Sequence, residues 1–164
     1  MSGATTRLEV DRTIAAEPSA IFEILRSPAG HVAIDASGML MSADGDPAAA
    51  LGDRFVVHMD RDSLRDFDLG EYDVTVVIET FEPDVEIAWS IDGVMQPPMG
   101  HVYGYRLEPI DGGTLVTSYY DWSNLHEQYA GFADRFPIIS EASLSATLGI
   151  LARTVAPGKS RPGA

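Results

Sequence analysis

The feature that most constrains this chain is a long amphipathic helix placed after a succession of strands. In DRFPIISEASLSATLGILARTVAP, Leu144, Leu148, Leu151 and Val155 recur at i, i+4, i+7 and i+11, and Ile138, Ala142 and Ser145 widen the stripe. Pro137 suits a first helical turn, and the helix is expected to end near Pro157. The middle of the chain is instead read as strands separated by turn residues. A helix of this kind must lay its apolar stripe on another apolar surface, and the only large one available is the concave face of a sheet. The fold class expected is therefore α+β.

The strands can be placed in part. RLEVDRTIAA sets Leu8, Val10, Arg12 and Ile14 against Glu9, Asp11 and Thr13, the pattern of a half-buried strand. EPSAIFEILRS then reads as a short helix with Pro18 in its first turn, ending near Ser27. GDRFVVHM is a strand after the loop SADGDPAAALG, and the charged connection DRDSLRDFDLG leads to EYDVTVVIET. A hairpin at EPDV pairs Ile78 with Trp89, Val76 with Ile91 and Thr80 with Ile87, leaving Phe81, Glu79 and Val77 on the other face. A second hairpin turns at IDGG. With Pro109 opposite Thr114, one face collects Leu107, Val116, Tyr105, Ser118, Tyr103 and Tyr120, followed by His101 and Trp122. The opposite face carries Arg106, Thr117, Gly104 and Tyr119, and Asp121 turns away from the aromatic side with them.

Composition excludes several functions. Twenty-five acidic residues against 11 basic ones give a net charge of −14, which repels nucleic acid and anionic lipid, and no basic patch interrupts it. No apolar run approaches the roughly 20 residues of a membrane span. The start MSGATTRLEV has neither a basic nor an apolar leader region, and cysteine is absent, so a cytoplasmic location is expected. At 164 residues, one domain over 7–156 is expected, with 1–6 and 157–164 as flexible tails.

Catalytic and metal signals are few. His31, His58, His101 and His126 stand singly, with no H-E-x-x-H and no thiol, so no metal or other cofactor is expected. There is no G-x-S-x-G elbow, and DGG at 111–113 is a hairpin turn because a strand follows it. His31 and Asp35 are four residues apart, but Pro28 and Gly30 argue against a continuous helix carrying both. A local role is expected instead, with Asp35 capping or tying its loop. No catalytic residue is assigned.

Four stretches resemble the START/Bet v 1-like superfamily, also called SRPBCC or the helix-grip fold, and look like its polyketide cyclase/dehydrase-type members from actinobacteria. They are V-x-x-T-I-x-A-x-P-x-x-I-F-x-I-L over 10–25, SPAGH at 27–31, LGDRFVV at 51–57 and GGTLVTSYYDWS at 112–123. The resemblance implies a seven-stranded antiparallel sheet wrapped around the C-terminal helix, two short helices near the N-terminus, and an internal cavity. Trp89, Tyr103, Tyr105, Tyr120 and Trp122 would then line that cavity, joined by Phe132 and Phe136 from the segment entering the last helix. Such walls suit a hydrophobic small molecule, a lipid or a polycyclic aromatic, bound by a monomer or homodimer. Alternatives left open are a polyketide aromatase/cyclase-like enzyme and a protein-interaction or regulatory module, since members of this scaffold differ in activity.

Overall fold

The computed structural model describes residues 5–159 and 161–163. Its elements run β1 (Arg7–Ile14), α1 (Pro18–Leu25), α2 (Pro28–Ile34), β2 (Leu40–Asp44), β3 (Arg54–Asp60), β4 (Glu71–Glu82), β5 (Glu86–Asp92), β6 (Val102–Ile110), β7 (Gly113–Asp121) and α3 (Glu141–Val155). Short 3-10 segments occupy Arg61–Ser63 and Glu127–Arg135. The seven strands form one antiparallel sheet in the order β1-β7-β6-β5-β4-β3-β2, so β1 and β2 are its edges. The helices α1 and α2 connect the two edges, and α3 packs across β1 and β7. This is the α+β helix-grip fold.

The β6–β7 hairpin has the register expected from its turn, with Pro109 opposite Thr114, Tyr105 opposite Ser118 and Tyr103 opposite Tyr120. The β4–β5 hairpin agrees only as far as Ile78 opposite Trp89. A bulge between Ile78 and Thr80 then shifts the pairing, so Ile87 faces Phe81 rather than Thr80. The extra residue turns Phe81 to the inner face, where its ring meets Phe22 at 5.4 Å in an edge contact. The edge strand β2 takes in 42–44 of the stretch read as the loop SADGDPAAALG, since LMSAD does not alternate apolar and polar residues.

Pro28 starts a helix here instead of breaking one. It occupies the first turn of α2, where the proline ring sacrifices no intrahelical bond, and the Ser27 hydroxyl accepts from the Gly30 N–H at 3.1 Å. Gly30 is required by packing: a Cβ there would lie 2.0 Å from the Ile24 carbonyl oxygen. At the other end of the chain, Pro137 lies outside α3, which starts at Glu141 with Ser140 as N-cap. Leu144, Leu148 and Leu151 are buried as the stripe requires, whereas Ala142 and Ser145 are exposed and Ala152 takes a buried place.

One continuous core fills the space between α1, α2, α3 and the inner face of the sheet, and a smaller cluster forms around Tyr120, Trp122 and Leu144. Of the segments expected as tails, residues 1–4, 160 and 164 lie outside the described residues. The Trp122 N–H donates to the Thr6 carbonyl at 2.9 Å, and the Pro162 ring lies beside the β6–β7 turn.

Candidate ligand-binding cavity

The helices do not cover the whole inner face. A cavity of about 410 Å³ lies over the β3–β6 part of the sheet, bounded by α2 and the first turns of α3. Its floor is built from inward residues of consecutive strands, including Val57, Val74, Val76, Trp89, Ile91 and Tyr103. Leu25, His31 and Ile34 close one side and Leu144 and Thr147 another. It reaches the surface at a rim of Phe67, Leu69, Val94, Met95 and Phe132, each between 39% and 51% exposed. The cavity is thus open at one end and not enclosed.

Of the residues expected to line it, Trp89, Tyr103, Tyr105, Phe132 and Phe136 do so. Tyr120 and Trp122 share the inner face but are not part of the wall. They lie on or just beyond β7, beneath the smaller cluster, so Tyr120 stacks behind Tyr103 at 4.5 Å and Trp122 packs on Tyr120 at 5.4 Å. Trp89 is the centre of the aromatic wall. Tyr103 and Tyr105, both on β6, stack against it at 6.1 and 5.9 Å, and His31 meets it edge-on at 4.6 Å.

His31 and Asp35 both border the cavity, yet they do not act on each other. His31 Nε2 lies 2.7 Å from the Leu25 carbonyl, which can only accept, so this nitrogen carries the ring proton. Burial lowers the His31 pKa to about 4, with the Leu25 bond opposing it, and the ring is neutral at pH 7. Asp35 is the C-cap of α2, and its carboxylate is occupied by the Ser37 N–H and hydroxyl and by the N–H groups of Gly38 and Leu40. It ties the loop into β2, the local role expected from sequence.

Sequence reasoning missed three contributors. Arg61 sits in a connection that reads as solvated, but only 6% of it is exposed. Its guanidinium donates to both Asp66 oxygens at 2.8 and 2.7 Å. Burial opposes its charge, but the bonds to Asp66 and Tyr72 outweigh that and raise its pKa. Four of the six methionines, Met39, Met59, Met95 and Met99, line the cavity, and methionine carries no motif that a sequence displays. His101 is the third. It was placed on the aromatic face without a role, and it is 2% exposed, in the cavity wall, with Nδ1 2.7 Å from the Tyr120 hydroxyl. Burial lowers its pKa to about 4. Burial also raises the hydroxyl pKa values of Tyr103 and Tyr105, so both remain protonated donors at neutral pH.

Residues away from the cavity are accounted for structurally. Asp121 pairs with Arg7 at 3.0 Å and accepts from Ser123, and Arg106 reaches Glu9 at 3.1 Å on the outer face. The fold brings His58 between Asp44 and Asp73, but among the described residues no group of three or more His, Cys, Asp or Glu is arranged to hold a metal. No described helix is long and apolar enough to cross a membrane.

These features define a helix-grip protein with an open, largely apolar cavity walled by aromatic residues and methionines. No family model matches the sequence, and no curated protein is significantly similar to it. Solved structures share the fold at low identity. A protein of Chromobacterium violaceum, CV1439, superposes with a TM-score of 0.65 at 13% identity, covering 93% of this chain and 98% of that one. The Aha1 dimer from Colwellia psychrerythraea gives 0.60 at 20% identity, with coverage of 94% and 99%. DynU16, a protein of the dynemicin biosynthetic locus, gives 0.61 at 15% identity; the alignment covers 97% of this chain and half of DynU16. At these identities the likeness is one of fold.

Proposed function

We propose that the protein binds a hydrophobic small molecule, with an aromatic or polycyclic body, in the cavity beside α3. The observation that carries this reading is the open cavity of about 410 Å³ with Trp89, Tyr103 and Tyr105 stacked together in its wall. Flat aromatic faces favour a stacked ring, and the four methionines give the remaining wall the adaptability that ligands of variable outline need. Two charged side chains of the wall are already committed, Asp35 to backbone donors and Arg61 to Asp66. On this reading residues 7–156 work as one cytoplasmic domain, as a monomer or homodimer. A cyclase-like activity on a polyketide is the second reading. It is favoured by the neutral histidines and tyrosine hydroxyls in the wall, and by the fold shared with DynU16.

Trp89 and Trp122 are the only tryptophans, which makes a direct test available. Titration with the neutral apolar dye N-phenyl-1-naphthylamine is expected to saturate at one equivalent and to quench Trp122→Phe, where Trp89 reports. Trp89→Phe should bind the dye more weakly. Native mass spectrometry of the purified protein is expected to show a bound apolar molecule that the dye displaces. Absence of saturable dye binding overturns the reading, and leaves the apolar rim as evidence for a protein-interaction role.

A further inference from the structure

We infer that His101 Nε2–H is a hydrogen-bond donor in the cavity wall that anchors an oxygen acceptor, a ketone or quinone oxygen, on an otherwise apolar ligand. The inference deepens the ligand-binding reading above and rests on it. Its starting observation is that His101 Nε2 is buried without a protein hydrogen-bond partner, in a side chain that forms part of the cavity wall. Leaving a buried ring nitrogen unpaired is costly, so a site that keeps one gains by presenting it to a ligand.

The polarity of that nitrogen follows from its neighbours. Tyr120 is buried behind the wall, and its oxygen accepts from the Ile138 N–H. Its other neighbour, Tyr103, carries a hydroxyl proton of its own and can donate to the same oxygen, in which case the one Tyr120 proton goes to His101 Nδ1 at 2.7 Å. The ring is neutral at pH 7 because burial lowers its pKa to about 4. With Nδ1 accepting, the single ring proton resides on Nε2. Nδ1 is directed at Tyr120, which is not in the wall, so Nε2 lies on the edge of the ring turned away from Tyr120.

His31, Tyr103 and Tyr105 in the wall do not duplicate it. His31 spends its ring proton on the Leu25 carbonyl. The Tyr103 hydroxyl is engaged with Tyr120 and that of Tyr105 with Ser118. Tyr103 and Phe136 hold the His101 ring edge-on at 5.4 and 6.1 Å, which fixes the direction of Nε2. The anchor is therefore an oriented donor beside stacking faces. It suits a flat ligand with one acceptor oxygen at its edge.

The test compares 9-fluorenone with fluorene, flat tricycles of nearly equal shape that differ by a carbonyl in place of a methylene. Fluorenone is the more water-loving of the two, so burial alone favours fluorene. The wild type is expected to bind fluorenone about fivefold to tenfold more tightly, the worth of one hydrogen bond. The carbonyl stretch of bound fluorenone should shift to lower wavenumber. His101→Phe should abolish both the preference and the shift while binding fluorene as before, and Tyr120→Phe should reduce the preference by releasing the tautomer. Equal affinity for the two probes in the wild type, with no infrared shift, overturns the inference even if a variant fails to fold. Failure of both probes to bind overturns the ligand-binding reading itself.

Discussion

The two buried imidazoles make the stability of this protein steeply dependent on pH between 5 and 7. In the folded chain His31 and His101 titrate at about 4, against 6.5 for an unperturbed histidine. Burial is the main cause in both, and in His31 the Leu25 bond offsets part of it. Both folded values are depressed, so between 4 and 6.5 the unfolded chain binds more protons than the native one, and stability falls as pH falls. At about 1.4 kcal/mol per pKa unit, the full penalty is about 3 kcal/mol per histidine and is reached below pH 4. Between pH 7 and pH 5 the same relation gives about 2 kcal/mol each, about 4 for the pair. That window stays above the ordinary carboxylate values of 3.8 and 4.5, so paired residues such as Asp66 and Glu9 add little to it. Urea unfolding followed by tryptophan fluorescence at half-unit pH steps measures the loss directly. His31→Phe and His101→Phe, whatever their stability at pH 7, should each lose about half as much between pH 7 and 5 as the wild type. A variant that declines as steeply as the wild type refutes the claim that its histidine is buried neutral.

His58 should behave in the opposite sense. Its Nε2 and Nδ1 each lie 2.6 Å from a carboxylate, Asp44 and Asp73, and these bonds raise its pKa. Its contribution is therefore present below 6.5 and lost as pH rises through the raised value; an NMR titration should place His58 above 6.5 and Asp44→Asn should lower it, whereas an unshifted His58 would contradict the pairing. Leu148→Ala, at a site 1% exposed on the buried face of α3, should cost about 3 to 5 kcal/mol in urea unfolding, and a loss below about 1 would mean that the helix is not gripped there. Gly104→Ala should destabilise by about 1 to 3 kcal/mol because its Cβ would lie 2.3 Å from the Tyr119 ring; Tyr119→Ala in the same chain should recover part of the loss, and no recovery refutes the clash.

What the sequence revealed depended on whether local chemistry settled the geometry. The β6–β7 register was legible because a two-residue turn at Asp111 and Gly112 leaves little choice of pairing, and every aromatic residue on those strands then falls on a known face. The β4–β5 register was legible only up to the bulge after Ile78, since nothing in VIETFE distinguishes a bulged residue from a paired one. Proline was ambiguous in both directions: Pro28 looked like a terminator and starts α2, whereas Pro137 looked like a start and lies before α3.

The site was less legible because a shared face of a sheet does not mean a shared cavity. Period-two alternation puts Trp89, Tyr103, Tyr105, Tyr120 and Trp122 on the same side, but which of them meets open space depends on where α3 crosses. It crosses β1 and β7. That placement buries Tyr120 and Trp122 under helix and leaves the inner faces of β3, β4 and β5 uncovered, so aliphatic residues such as Val57, Val74 and Ile91 become walls. The same displacement gives Tyr120 its place in the site. Held behind the wall, it can fix the proton of His101 without competing for the ligand, and a residue expected to touch the ligand becomes the one that orients the group that does.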